Sequence, residues 1–449
     1  MEVMRESPFK VDKPEDDPHA FGNRPEEVKS CVQAIINKRH IIISGPRGIG
    51  KSSLACQIQN LFAQDYTLAK RCEIDLQLDR YLTCYYGCSK DTTLASLAFD
   101  LLFRIENECY YLKTFKTGDK TKFAASLNLG IIKVALTTDV ITNKPASVAT
   151  QFVSGLKSIY ESLISFTTYE GLNILVDELD KLDEGINFGH FFKLVHEYIT
   201  HDQLRNVNFI LVGQKGIYTR LYNQDPSIER IVKHVPLSKL ESEECKHILS
   251  YASAIKAKPP FSIKQGAEEL ILKIASGFPY LIHLLGDSAF SAMSNPYYMG
   301  SGDVLIGLER ILKSDKREKY YWLFSCLSPE QRVILMIVAR HQSFVLPIII
   351  PFEWIKSQAL PLIKNENKIL KIIKSLSRDG HLIINEEKEI CQFNDELFRI
   401  FLALIFIEER ELMEGKLPMV SITDADVADI VDKIKSAEYG KSWEHDQEI

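Results

Sequence analysis

The chain has 449 residues, of which 45% are hydrophobic, so its length allows two to four domains with buried cores. Its formal net charge of −6 argues against a protein that is basic throughout and binds nucleic acid over its whole surface, but a local basic face remains compatible with it. The nine cysteines are scattered, and Cys84 and Cys88 form the single close pair. This pattern predicts free thiols rather than a zinc site or a disulfide framework.

The chain contains no predicted targeting or membrane segment. Met1 to Glu6 include no apolar run, which argues against a signal peptide. The longest apolar stretches extend from Phe344 to Phe352 and from Ile400 to Ile407, well below the about 20 residues of a membrane-spanning helix. We therefore expect a soluble, cytoplasmic protein without a membrane partner.

The first motif follows a polar segment, residues 1–20, that is predicted to be an N-terminal arm. A buried strand is predicted from His40 to Ser44, and a helix from Ser53 onwards. Between them lies the segment Gly45-Pro46-Arg47-Gly48-Ile49-Gly50-Lys51-Ser52. This segment fits the phosphate-binding pattern G-x-x-x-x-G-K-[ST] at every fixed position, in the strand–loop–helix context that the pattern requires.

The chemistry of this loop requires these residue types. Glycines let the loop curl so that its backbone N–H groups point at an anion, and the helix that follows adds its positive N-terminal end. Lys51 can reach the terminal phosphates, and the Ser52 hydroxyl can bind Mg²⁺. The sequence therefore predicts a nucleoside triphosphate bound by Gly45, Pro46, Arg47, Gly48, Ile49, Gly50, Lys51, Ser52 and Ser53.

The next part of the chain has a less regular pattern. A second strand is predicted from Cys72 to Leu76, and a helix from Leu94 to Ile105. An insertion is predicted over about residues 80–150, with a strand-like hairpin from Phe123 to Leu136. We expect it to elaborate the edge of the domain, with a binding arm as the alternative.

A second nucleotide-site signal ends the buried strand predicted from Leu172 to Asp177. Asp177 can bind Mg²⁺ through water, and Glu178 can polarise the attacking water. Gln214 follows another buried strand, from Asn208 to Gly213, and is predicted to bind the γ-phosphate or the lytic water, or to be a plain polar strand end.

Arg230 precedes a last short strand predicted from His234 to Leu237. It can stabilise transition-state charge at a neighbouring subunit's nucleotide, or be an ordinary surface arginine. Apolar strands that alternate with helices predict an α/β fold, with a parallel sheet covered by helices on both faces.

Beyond residue 238 the pattern becomes helical. Gly277-Phe278-Pro279 opens a helix, and this loop either rests against the adenine or is a plain helix start. Farther on, a helix with the basic residues Lys371 and Lys374 precedes a predicted hairpin, which is the outline of a winged helix-turn-helix. Positive and negative residues are nearly balanced in this region, which argues against strong binding to DNA phosphates. A winged helix that contacts proteins, or that serves only in packing, is therefore at least as good an interpretation as one that binds DNA. The tail is acidic.

The order of these motifs resembles that of AAA+ ATPases close to the replication-initiator (origin-recognition) group, and of the related STAND signalling ATPases. The resemblance implies that Phe21-Gly22-Asn23-Arg24 lies near the base, which would be adenine, so ATP and Mg²⁺ are the expected cofactors. It also implies that the nucleotide state sets the angle between core and lid. The expected domains are an arm (1–20), an ATPase core (21–238), a helical lid (239–315), a winged helix (316–412) and an acidic tail (413–449).

One departure from the AAA+ pattern bears on function. The segment from Tyr280 to Leu285 lacks the arginine that many AAA+ proteins use as a second sensor, which favours a STAND-like switch with slow hydrolysis. STAND proteins carry a fused effector and a repeat sensor, and neither is recognisable here, so a separate partner chain is expected. The leading hypothesis is a self-assembling, ATP-dependent switch, for which family analogy suggests a setting in prokaryotic defence. The alternatives are a DNA-binding initiator or loader and a scaffold that holds nucleotide without turnover.

Overall fold

The computed structural model of the protein describes residues 5–112, 115, 116, 123, 144–183, 185–314, 316–341, 349–404, 408–417 and 424–438. The chain forms two compact units, one of Pro14–Ser238 and one of Met1–Lys13 with Lys239–Ile449. It passes from the first unit to the second at Ser238–Lys239, a place that we call the junction. The finer division predicted from the sequence stays a prediction.

The unit Pro14–Ser238 is built on a five-stranded sheet in which every pairing is parallel. Its strands are β1 (His40–Ser44), β2 (Tyr81–Gly87), β3 (Gly171–Asp177), β4 (Val207–Gly213) and β5 (Val232–Pro236), in the order β2-β3-β4-β1-β5. Its helices are α1 (Pro25–Ile36), α2 (Lys51–Phe62), α3 (Thr67–Arg71), α4 (Leu94–Tyr110), α5 (Pro145–Phe166), α6 (Phe188–His201), α7 (Ile217–Gln224) and α8 (Ile228–Ile231).

The central strands β1, β3 and β4 are buried along their whole length. Their sequences are mostly apolar, with Asn173 and Asn208 as buried polar residues within β3 and β4. Such strands suit a sheet that is covered on both faces, because a strand with one wet face would alternate apolar and polar residues. The predicted α/β fold with a parallel, helix-flanked sheet is thus confirmed. Because these strands are parallel, their carboxyl ends lie at one edge of the sheet. The phosphate loop after β1 and the acids after β3 therefore share that edge, with β4 between the two strands.

Two predictions for this unit are wrong. No strand forms from Cys72 to Leu76; the second strand is β2, because Tyr81–Gly87 offers a longer aromatic and β-branched run, while Ile74 and Leu76 are half-buried. The predicted insertion over about 80–150 is too wide, since within it β2 is a strand of the sheet and α4 packs against β2 and α5. The predicted hairpin from Phe123 to Leu136 lies, Phe123 apart, outside the described residues.

After the junction, the second unit continues with four helices, α9 (Ser242–Tyr251), α10 (Gln265–Ala275), α11 (Pro279–Phe290) and α12 (Ser301–Lys313). They are accompanied by a π-helical turn (Ala252–Lys256) and by two short paired strands, β6 (Ser262–Ile263) and β7 (Tyr298–Met299). Pro279 occupies the first turn of α11, where its missing N–H is not needed. The helix start predicted at Gly277-Phe278-Pro279 is therefore confirmed.

The C-terminal part contains α13 (Lys316–Ser325), α14 (Pro329–Ala339), β8 (Ile350–Pro351), α15 (Phe352–Ile363), α16 (Glu366–Arg378), β9 (Leu382–Asn385), β10 (Ile390–Phe393), α17 (Glu396–Leu404), α18 (Glu409–Met413) and α19 (Asp424–Glu438). The three strands form an antiparallel sheet in the order β8-β10-β9. All nine cysteines are free thiols, as predicted. Among the described helices, none combines the length and apolarity needed to cross a bilayer.

A buried histidine couples the first unit's stability to pH. The His40 ring accepts a hydrogen bond from the backbone N–H of Phe209 at Nδ1 (3.1 Å), and its Nε2 lies 3.1 Å from Nδ1 of His196. Burial, and then the charge of His196, lower the pKa of His40 to about 3. Because the folded state holds this ring neutral, the unfolded chain alone gains a proton as pH falls below 6.5, the ordinary pKa of histidine.

We expect His40 to cost the protein about 2 kcal/mol of unfolding free energy on acidification from pH 7.5 to pH 5. Urea unfolding at both pH values, with wild type beside His40→Gln, measures this contribution as the difference between the two pH slopes. Equal slopes for wild type and His40→Gln would show that His40 does not carry the effect.

Candidate functional site

The phosphate loop has the backbone conformation that its glycines allow. Gly48 and Gly50 have φ angles of 77° and 93°, in the left-handed region that side chains with a Cβ rarely adopt. A Cβ at Gly45 would lie 3.0 Å from Ile49 Cγ2 and 3.2 Å from the Leu237 carbonyl oxygen. Tight packing and positive φ angles therefore explain why glycine stands at these positions.

Lys51 and Ser52 begin α2, directly after the loop. The Ser52 hydroxyl donates a hydrogen bond of 2.6 Å to Oδ2 of Asp177, which ends β3. Lys51 Nζ donates to the carbonyl oxygen of Pro46 at 2.9 Å. The structure thus brings together the predicted metal-binding pair, Ser52 and Asp177, beside the lysine predicted to bind phosphate.

The electrostatics of these residues fit a bound anion and a bound cation. Burial lowers the pKa of Lys51, although Asp180 and Asp177 partly offset the effect. Burial also raises the pKa of Asp177, whose exposed fraction is 4%, despite its hydrogen bond from Ser52. Both charges are desolvated without full compensation, which a triphosphate near Lys51 and a divalent cation at the Ser52 and Asp177 oxygens would supply.

Glu178 follows Asp177 with a φ angle of 58°, which is uncommon for a residue other than glycine. Its side chain is 47% exposed and forms an ion pair with Lys181. The backbone N–H of Glu178 donates to Oδ1 of Asp177 at 2.7 Å. The turn therefore keeps Asp177 buried and directs the next carboxylate towards solvent, where an attacking water can reach it.

Gln214 follows β4 at the same edge of the sheet. Its backbone N–H donates to Oδ1 of Asp180 at 2.9 Å, and its Nε2 donates to Oδ2 of Asp180 at 2.7 Å. This two-bond contact fixes the orientation of the Gln214 amide. Its predicted catalytic role stays a prediction.

Three residues predicted to bind nucleotide have other partners or positions. Arg24 is 2% exposed, and its guanidinium donates to Glu27 and to the carbonyl oxygens of Ile49 and Ser238. Its contact with the phosphate loop is therefore a hydrogen bond to a backbone carbonyl of the loop. The Ser53 hydroxyl accepts a hydrogen bond of 3.0 Å from the backbone N–H of Glu15. Arg47 is exposed at the loop surface.

Arg230 and Pro279 lie outside this cluster. Arg230 is exposed in α8, which leads into β5 at the amino edge of the sheet, whereas the phosphate loop lies at the carboxyl edge. Arg230 thus cannot act at its own chain's loop, and its predicted action on a neighbouring subunit stays a prediction. Pro279 belongs to the second unit, and its predicted contact with adenine stays a prediction as well.

Sequence reasoning missed Asp180 and Lys181 as site residues. Asp180 orients Gln214, and Lys181 pairs with Glu178. Both follow the Asp177-Glu178 pair within one turn, so their polar character beside a predicted site was the available signal.

The basic residues of α16, predicted as a candidate DNA contact, are partly paired within the second unit. Lys368 forms an ion pair with Glu330, and Lys374 forms one with Glu386 at 2.7 Å, while the Lys371 side chain is exposed. A lysine that is paired with a carboxylate of its own chain displaces fewer counterions from DNA phosphates than an unpaired one. These ion pairs therefore weaken the predicted DNA contact.

Comparisons with known proteins agree with this geometry. Residues 35–221 match the family described as AAA domain. The structure is similar to the Walker-type ATPase PABY2304 of Pyrococcus abyssi, with 14% identity, a TM-score of 0.54 and coverage of 88% of this chain and 99% of that one. It is also similar to the Aeropyrum pernix ORC2 protein in its ADPNP–ADP complexes, with 13% identity, a TM-score of 0.54 and coverage of 96% and 98%. A comparison with curated protein sequences gave no match.

Proposed function

We propose that this AAA+ P-loop ATPase, which shares its fold with the Aeropyrum pernix ORC2 protein, binds ATP with Mg²⁺ and works as a slowly hydrolysing, nucleotide-dependent switch. In the proposal, ATP binding drives assembly with further copies of the chain or with a separate effector or sensor protein. A prokaryotic defence system is the setting that the resemblance to STAND ATPases suggests.

The observation that carries this proposal is the arrangement at the carboxyl edge of the sheet. The Ser52 hydroxyl and the Asp177 carboxylate lie 2.6 Å apart, and Lys51 stands next to them at the start of α2. Hard cations such as Mg²⁺ prefer oxygen ligands, and one or two protein oxygens suffice when phosphates and water complete the shell. Mg²⁺ held there would offset the charge of the phosphates.

The remaining residues support hydrolysis. Lys51, at the loop, attracts the terminal phosphates, and Glu178 accepts a proton from the attacking water. The ion pair with Lys181 holds the Glu178 carboxylate close to the turn that follows β3. This ion pair must rearrange, or Glu178 must bind Lys181 and the water at the same time, before Glu178 can act on the attacking water. Slow turnover fits such a site, and it also fits the missing second-sensor arginine between Tyr280 and Leu285.

The assembly step can be tested by mass photometry of wild type and Lys51→Ala, each with ATP·Mg²⁺ and with ADP·Mg²⁺. We expect wild type with ATP to form species of at least twice the monomer mass of 51.2 kDa without DNA, and Lys51→Ala to stay monomeric. Unchanged masses in all conditions would contradict the self-assembling switch and leave a constitutive nucleotide-holding subunit.

The second candidate is an ATP-controlled initiator or loader that grips duplex DNA through a winged helix. It is favoured by the order of α14, β8, α15, α16, β9 and β10, in which a hairpin follows a helix with exposed lysines. Repeating the mass measurement with duplex DNA separates the two candidates. A mass gain that requires both DNA and ATP, and that falls steeply as salt rises, would favour the initiator.

A further inference from the structure

One buried arginine links the phosphate loop to the junction. The Nη2 nitrogen of Arg24 donates to the carbonyl oxygen of Ile49 at 3.0 Å and to that of Ser238 at 2.8 Å. Ile49 belongs to the loop, and Ser238 is the last residue of the first unit. One planar group therefore binds two backbone segments that are far apart in the sequence.

The geometry of Arg24 is held from several sides. Nη1 donates to Glu27 Oε1 at 3.1 Å, which orients the guanidinium. Arg24 itself has a φ angle of 56°, in the left-handed region, as the N-cap of α1. Nearby, the backbone N–H of Leu237 donates to the carbonyl oxygen of Ser44 at 2.7 Å, so the chain entering the junction lies against the strand that leads into the loop.

On the other side of the junction, Lys239 and Leu240 contact the Gly277-Phe278-Pro279 loop of the second unit. Lys239 Nζ donates to Ser276 Oγ at 3.0 Å, and the Leu240 N–H donates to the Gly277 carbonyl oxygen at 2.9 Å. A Cβ at Gly277, whose φ angle is 80°, would lie 2.8 Å from the Leu240 carbonyl oxygen. The residues that follow Ser238 in the chain are thus packed on that loop.

We infer that Arg24 is a positioning residue that transmits the occupancy of the phosphate loop to the junction, rather than a residue that contacts the nucleotide. This inference rests on the proposed binding of ATP at the loop. When the backbone N–H groups of the loop form hydrogen bonds to phosphates, the Ile49 carbonyl is reoriented. Arg24, which is bound to this carbonyl, then shifts, and the Ser238 carbonyl that it also binds moves with it. The peptide bond to Lys239 then carries it to the Gly277-Phe278-Pro279 loop.

Lysine cannot replace arginine in this role. A guanidinium presents N–H groups in a fixed plane, so one nitrogen can bind two carbonyls at set angles, whereas an ammonium is a rotating point charge. We therefore expect Arg24→Lys to keep the positive charge and lose most of the transmission, and Arg24→Met to lose it fully.

The test is hydrogen–deuterium exchange on the full chain, with and without a slowly hydrolysed ATP analogue and Mg²⁺ at saturation. In wild type, the analogue should slow exchange in phosphate-loop peptides and change exchange in the junction peptide, residues 237–242, by about fivefold. In Arg24→Met, the phosphate-loop response should persist, while the junction response falls below about twofold.

The matched control is Arg39→Met. Arg39 also donates to two backbone carbonyls, that of Val232 (2.6 Å), the first residue of β5, and that of Glu229 (3.3 Å) just before the strand, so it lies at the opposite end of β5 from Ser238. This variant should keep both responses.

Each other outcome has a defined meaning. No phosphate-loop response in wild type contradicts the proposed function itself. A wild-type junction response in Arg24→Met overturns the transmission role. Loss of the loop response in both Arg24→Met and Arg24→Lys, with thermal unfolding unchanged, also overturns it and makes Arg24 a binding residue.

Discussion

Lys51→Ala is expected to weaken ATP binding by at least about 100-fold. Lys51 starts α2 beside the loop, and a charge-assisted hydrogen bond to a phosphate contributes about 1.5–3 kcal/mol. Two such bonds, to the β- and γ-phosphates, are worth about 3 kcal/mol or more, which is about 100-fold in the dissociation constant. Isothermal titration with ATP·Mg²⁺ measures the loss directly.

The fold should survive this substitution. Lys51 Nζ donates a hydrogen bond to the Pro46 carbonyl oxygen, and burial lowers the pKa of Lys51, so removal of the charge also removes a desolvation cost. Lys29→Ala is the control, since Lys29 is an exposed lysine of α1 that pairs with Glu26. Wild-type affinity in Lys51→Ala, or an equal loss in Lys29→Ala, would refute the assigned role.

Glu178→Gln is expected to lower the ATP hydrolysis rate by about 10²–10⁴-fold, which is the usual contribution of a positioned general base. ATP binding should be retained, because the Glu178 carboxylate is exposed and pairs with Lys181. It is not part of the proposed Mg²⁺ site, which consists of the Ser52 and Asp177 oxygens. The variant should therefore stay in the ATP-bound, assembled state. Single-turnover hydrolysis and mass photometry on the same sample measure the two effects together.

The control for this prediction is Glu229→Gln, at an exposed carboxylate of α8 near the amino edge of the sheet. It should hydrolyse ATP at the wild-type rate. If Glu178→Gln also turns over normally, Glu178 is not the base. If wild type itself does not hydrolyse ATP, the protein is a scaffold that holds nucleotide, and the variant should then leave its function unchanged.

Local sequence patterns predicted the elements on which the site depends. The glycine spacing from Gly45 to Gly50 and the lysine that follows them indicate a phosphate loop, because loop curvature and anion binding depend on residues that are adjacent in the chain. The apolar run before Asp177 indicates a buried strand that ends on an acid. The weak alternation from Cys72 to Leu76, in contrast, gave a wrong strand, since two half-buried apolar residues do not anchor a strand in a sheet.

The partners of these residues depend on contacts between distant segments. Arg24 meets Ile49 25 positions away and Ser238 214 positions away, and Ser52 meets Asp177 across 125 positions. The Asp180 contact that orients Gln214 spans 34 positions. A motif can state which residue types a site needs, but it does not state which buried carbonyl an arginine will satisfy.

The sequence by itself thus determined the phosphate-loop pattern, the acids at the strand end and the α/β alternation, because all three are encoded by neighbouring residues. Only the tertiary structure decided the strand order that places β4 between β1 and β3, the amino-edge position of Arg230 and the burial of Arg24 between loop and junction. The physical reason is that these features follow from which segments bury one another's apolar faces and satisfy one another's polar groups, a choice made by the whole chain.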